Sequence, residues 1–112
     1  MFFEVHRIRS FITVENISTG ESMTITPKPR KSRIRLSSFN LKGLDFPYNT
    51  FFYRTGKGFI VFRCPKPVYS SAEMKKNKKI TIRCQEEVFI YSDDTRESGI
   101  RVTFNSVINN FI

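Results

Sequence analysis

The sequence predicts a single small all-β domain over residues 1–112, an antiparallel β-barrel in preference to a β-sandwich. Three observations lead there. Alanine occurs once and leucine three times, against twelve Ile, seven Val, twelve Phe, nine Thr and four Tyr. Helices favour Ala and Leu, whereas β-branched and aromatic side chains suit a pleated, half-buried surface. Short apolar runs are separated by Gly, Pro, Asn and Ser clusters, the spacing of a small barrel or sandwich. A chain of 112 residues is also long enough to bury a core without disulfide or metal staples.

A first strand is expected over Phe2–Ile8. A second runs from Phe11 to Ile17, where Ile12, Val14 and Asn16 alternate with Phe11, Thr13, Glu15 and Ile17. Ser18-Thr19-Gly20-Glu21 reads as a turn, because Gly20 takes positive φ without steric cost. Ser22–Thr26 returns as the partner strand. Pro27 and Pro29 end it, since proline cannot donate to a ladder. In the basic stretch that follows, Ile34 and Leu36 face inward while Lys31, Arg33 and Arg35 share the opposite side. Residues 37–49 connect, punctuated by Gly43 and Pro47 and tethered by Leu41, Leu44 and Phe46.

The clearest hairpin is Thr50–Arg63. A two-residue loop at Gly56-Lys57 suits a type II′ turn. It pairs Phe51 with Phe62, Phe52 with Val61, Tyr53 with Ile60 and Arg54 with Phe59. Paired residues share a face, so Phe51, Tyr53, Ile60 and Phe62 are expected in the core. Phe52, Arg54, Phe59, Val61 and Arg63 fall on the other side. Residues 65–79 read as a long connection, with Pro65, Pro67 and the run Lys75, Lys76, Lys78, Lys79. Ile80–Cys84 is a strand, with Ile80, Ile82 and Cys84 on one side. Val88–Ser92 and Gly99–Asn105 form a last hairpin across the polar loop 93–98. The apolar residues Val107, Ile108, Phe111 and Ile112 dock as a helical turn or an edge strand.

The N-terminus lacks a basic segment followed by a long apolar run, so no signal peptide is expected. No stretch approaches the roughly 18 apolar residues of a membrane helix. The two cysteines make no disulfide framework, and buried free thiols in a cytoplasmic, reduced setting are expected. The single histidine, His6, has no nucleophile motif near it, so the reading is non-enzymatic. Cys64, Cys84 and His6 lack zinc-type spacing, and no cofactor is called for.

Charge is what remains. Nineteen Lys and Arg stand against ten Asp and Glu, a formal net charge of +9. Residues 1–84 carry 17 basic and five acidic side chains, while residues 85–112 carry two and five. One positive face is expected rather than a uniformly basic surface. Phe52, Arg54, Phe59 and Arg63 interleave rings with cations, and Lys57 sits at the hairpin tip. Lys31, Arg33 and Arg35 extend the positive row, and Lys75, Lys76, Lys78 and Lys79 form a loop cluster. Lys and Arg neutralise phosphates, and exposed rings stack on bases. Nucleic acid is therefore the expected partner, single-stranded or duplex, with low sequence specificity because no recognition helix or zinc finger is visible. Lys57-Gly58-Phe59 is similar to the opening of the RNP1 motif of RNA-recognition and cold-shock domains; Ile60 and Val61 then depart from it.

The alternative is a protein–protein interaction module, such as a small viral accessory or structural protein, gripping an acidic surface. Phe, Ile, Asn and Lys supply 40 of the 112 residues, a bias common in AT-rich genomes. Structural readings stand beside both. Phe52 and Phe59 are core if the hairpin is covered on both faces, the lysine run is a solvated loop, and edge cations discourage aggregation.

Overall fold

A computed structural model describes residues 5–27, 33–55, 59–71 and 76–111, with backbone alone at 5–9, 76–77 and 107–111. Its strands are β1 (Val5–Asn16), β2 (Ser22–Ile25), β3 (Ile34–Arg35), β4 (Phe51–Arg54), β5 (Ile60–Ser70), β6 (Lys76–Ile82), β7 (Glu87–Tyr91) and β8 (Gly99–Phe111). A short 3-10 turn, Leu36–Phe39, is the only helical piece among the described residues. No helix among them is long and apolar enough to cross a membrane. Every pairing is antiparallel. The single sheet curls into a half-barrel, in keeping with the expected all-β class.

The seam is β5. Its first residues pair with β4 on one edge and β6 on the other. Near its end it keeps β6 but exchanges β4 for β7, through Tyr69↔Tyr91 and Ser70↔Ile90. One wing leads from β4 to β3; the other leads from β7 through β8 and β1 to β2. The inner faces share one core of Ile12, Val14, Phe52, Ile60, Phe62, Ile82, Val88, Ile90, Ile100, Val102 and Phe104. Each such side chain contributes about 1.5–3 kcal/mol by leaving water. Phe52 packs edge-to-face on Phe39 and Phe62, with ring centroids 5.6 and 5.4 Å apart, the arrangement aromatic quadrupoles favour.

The connection after β3 lies over this core, and Leu41, Leu44 and Phe46 pack against it as tethers. Buried Asn16 helps to fasten it, donating from Nδ2 to the Lys42 carbonyl at 2.8 Å. Its Oδ1 accepts the Ser18 N–H at 3.0 Å, so a buried amide is satisfied from both ends. The turn that follows carries Gly20 at φ 78°, as its position requires.

Four expectations change. The two strands expected before the first turn are one twelve-residue strand. Ser10, at the expected break, is buried and bonds Ser106 Oγ at 3.1 Å across the ladder, so the strand runs through. The apolar tail extends this ladder: β8 runs to Phe111 and pairs with Val5. Residues 65–79 are mostly strand, because β5 passes Pro65 and Pro67 within a register break between Arg63 and Val68. A bulge tolerates residues that cannot donate. Cys64 is buried but Cys84 is exposed, in the turn after β6; both are free.

The fourth change concerns the central hairpin. Phe51 pairs with Arg63, Phe52 with Phe62, Tyr53 with Val61 and Arg54 with Ile60. The Thr55 N–H donates to the Phe59 carbonyl at 2.8 Å, so the strands close one residue later than a Gly56-Lys57 turn requires. A one-residue slip reverses the faces of one strand relative to the other. Phe52 therefore joins Ile60 and Phe62 in the core, and Phe51 and Tyr53 turn outward.

Candidate functional site

The corrected register assembles a row across four strands. Arg35 of β3 opposes Phe51 of β4, Phe51 opposes Arg63 of β5, and Arg63 opposes Lys79 of β6. Residues opposed in register share a face, here the one turned away from the core. The next row holds Tyr53, Val61 and Thr81. Arg35, Arg63 and Lys79 are exposed, whereas Phe51 and Tyr53 are half-buried. Strands β3, β4, β5 and β6 contain no Asp or Glu.

Rings and guanidinium groups meet on this face. Arg33, just before β3, holds its Cζ 4.6 Å above the centre of the Phe51 ring. Arg35 lies 4.9 Å from the Tyr48 ring centre and donates to its hydroxyl at 2.7 Å. Arg83, following β6, lies 5.9 Å from the Phe59 ring centre. Each contact stabilises an exposed pair by about 0.5–1 kcal/mol, enough to orient a side chain and too little to lock it. Phe51 and Tyr53 sit with centroids 6.1 Å apart and planes tilted by 35°. A shallow cleft of about 310 Å³ opens between them, walled by Arg33 and Arg63.

No family model, curated protein or solved structure matches this chain. Its function must be read from the face itself.

Of the residues singled out in the sequence, Arg33, Arg35, Phe59, Arg63 and Lys79 lie on or beside this face. Two do not. Phe52 is fully buried and belongs to the core. Arg54 opposes Ile60, so it sits on the core side of the sheet, across from Arg63. Both corrections follow from the hairpin register. The lysine run is not a loop cluster, because Lys76, Lys78 and Lys79 belong to β6. Exposed Lys78 falls in the register break, and Lys79 alone of these is paired into the cationic row. Lys31, Lys57 and Lys75 lie outside the described residues.

Sequence reasoning missed Phe51, Tyr53 and Arg83. One signal was available: Lys57 has glycine on both sides, so the chain permits a longer hairpin loop as readily as a two-residue one. The longer loop places Phe51 and Tyr53 beside Arg63.

Chemically, the face offers two things. Its cations carry no paired carboxylates, since among the described residues ion pairs are confined to Arg101 with Glu15 and Glu87. Glu86, near Arg83, instead accepts the Arg83 backbone N–H at 2.8 Å. Its rings are half-exposed and edged by guanidinium planes. Such a surface offers positive charge to anions and flat, apolar area beside it.

Proposed function

We propose that the protein binds single-stranded nucleic acid on the outer face of β3–β6, without catalysis and with little sequence specificity. The observation that carries this reading is the acid-free row Arg35–Phe51–Arg63–Lys79. Phosphates follow the cations, releasing counterions. Bases exposed in a single strand stack on the adjoining rings, which any base allows because every base has a π-face. Duplex DNA offers the phosphates but keeps its bases stacked internally, so it gains only the electrostatic part. Phosphate contacts carry no sequence information and stacking tolerates any base, so little sequence specificity is expected.

The test is fluorescence anisotropy with a labelled dT12 strand and a matching duplex over a range of salt concentrations. The single strand should bind more tightly. If Arg33, Arg35, Arg63, Lys79 and Arg83 each neutralise one phosphate, its log–log salt slope should be about −3.5. Failure to bind any oligonucleotide at low ionic strength would overturn the reading. An acidic protein surface would then become the partner to seek.

A further inference from the structure

The cationic face carries two adjoining clefts rather than one. The first, of about 310 Å³, is lined by Arg33, Phe51, Tyr53 and Arg63. The second, of about 280 Å³, shares Arg33, Phe51 and Arg63 but replaces Tyr53 with Asn49, Cys64 and Pro65. Phe51 and the two arginines thus form a common boundary, with different chemistry on either side.

We propose that these clefts form a dinucleotide site, with one nucleoside in each and the phosphodiester between them held by Arg33 and Arg63. The proposal rests on the nucleic-acid reading above and names the unit that the face recognises. Each cleft lies at or just below the small end of the ~300–1,000 Å³ range of ligand pockets, which suits a single nucleoside. Arg33 and Arg63 line both clefts, so the residues common to two bound nucleosides include the two positive charges. Those charges call for the linking anion.

The two sides then differ in role. In the first cleft Tyr53 is the stacking platform. Phe51 is already covered by Arg33 at 4.6 Å, whereas among the described residues no guanidinium lies over Tyr53. In the second cleft the exposed Asn49 supplies the polar group. An amide both donates and accepts, so it can bond a base edge or a sugar hydroxyl. Cys64 is occupied, accepting from Thr50 Oγ1 at 3.6 Å, and Pro65 forms an apolar wall. The site therefore stacks one base and holds its neighbour by hydrogen bonding.

The test is displacement of labelled dT8 by unlabelled dTMP, by d(TpT), and by d(TpT) with a methylphosphonate link, which keeps the shape and removes the charge. d(TpT) should compete at least about tenfold better than dTMP, the effect of about 1.4 kcal/mol from the second nucleoside. The neutral link should remove most of that gain. Tyr53→Leu should weaken d(TpT) about 5- to 150-fold, the usual reach of base–aromatic stacking, and Tyr53→Phe should retain binding. Asn49→Ala should weaken d(TpT) more than dTMP. Circular dichroism melts of each variant separate misfolding from lost contacts. Equal competition by dTMP and d(TpT), or indifference to the link charge, overturns the dinucleotide site. If dT8 binds normally to folded Tyr53→Leu and Asn49→Ala variants, this site fails while nucleic-acid binding stands. If dT8 does not bind the unaltered protein, the broader reading fails first.

Discussion

The two outer faces of the sheet are built from the same kinds of strand on one shared core, yet their charges are handled differently. On the β1–β8–β7 side, Arg101 lies between two carboxylates, 2.9 Å from Glu15 Oε2 and 3.7 Å from Glu87 Oε2. Around it stand a Thr13–Thr24 hydroxyl pair and the stacked rings of Phe89 and Tyr91. There the Arg101 charge is internally neutralised. On the β3–β6 side, Arg35, Arg63 and Lys79 share a row without an acidic neighbour in the strands. Like charges across strands destabilise a sheet by a few tenths of a kcal/mol to about 1 kcal/mol per pair. Arg63 and Lys79 are the directly opposed pair, and Phe51 stands between Arg35 and Arg63. Binding of an anion, as proposed above, would offset this cost.

The largest expected effect tests the core on which both faces rest. Phe52→Ala removes a fully buried ring packed on Phe39 and Phe62. It should cost about 3–5 kcal/mol in urea unfolding and loosen both wings together. Phe51→Ala, one residue earlier, removes a half-buried ring from the outer face and should cost much less. A larger loss from Phe51→Ala than from Phe52→Ala would reverse the hairpin register and dissolve the cationic row with it.

The contrast between Phe51 and Phe52 also shows where the sequence becomes ambiguous. Two identical rings stand side by side, and either can face Ile60 and Phe62. Only the length of the turn chooses between them, and Gly56-Lys57-Gly58 supports more than one length. The β1–β2 and β7–β8 hairpins were legible because a polar turn separates alternating strands whose buried positions are unambiguous: Ile12 and Val14, Val88 and Ile90, Ile100 and Val102. Leu41, Leu44 and Phe46 were legible as tethers because a polar connection holds few apolar side chains. Pro65 and Pro67 misled for a physical reason: a register break removes the hydrogen bonds that proline would have failed to make. The site followed the same division. Its cations were visible as composition, but the rings beside them depended on a register that local pattern does not determine.

Removing the charge of the row sharpens the comparison directly. The triple variant Arg35→Ala, Arg63→Ala, Lys79→Ala should flatten the salt slope for a single strand by about 2.1, or 0.7 for each lost phosphate contact. The thermal midpoint should move little, because relief of mutual repulsion opposes the loss of the Arg35–Tyr48 contact. A folded triple variant with an unchanged slope would move the anion site to another surface.

The smallest expected effect is on the neutralised face, and it is the control that gives the others meaning. Arg101→Ala also removes one positive charge, so any binding driven by net charge alone should weaken as it does for Arg63→Ala. If binding belongs to the β3–β6 face, the salt slope should stay unchanged. Stability should fall only slightly, because the Arg101 and Glu15 side chains keep 39% and 28% of their surface in water. Solvent-screened pairs of this kind contribute about 0.2–1 kcal/mol. A double-mutant cycle with Glu15→Gln isolates that coupling, and raising the salt concentration should shrink it. The cycle also frees the arginine. With Glu15→Gln and Glu87→Gln in place, Arg101 becomes an unpaired cation beside the Phe89 ring, on a face where Arg96 already lies 5.9 Å from the Tyr91 ring centre. If an unpaired cation beside rings were enough, this variant should acquire a second site, seen as a doubled stoichiometry with short dT strands. If binding needs several cations in register, stoichiometry should stay at that of the unaltered protein. The second outcome is expected, because one guanidinium cannot reproduce the row Arg35–Arg63–Lys79.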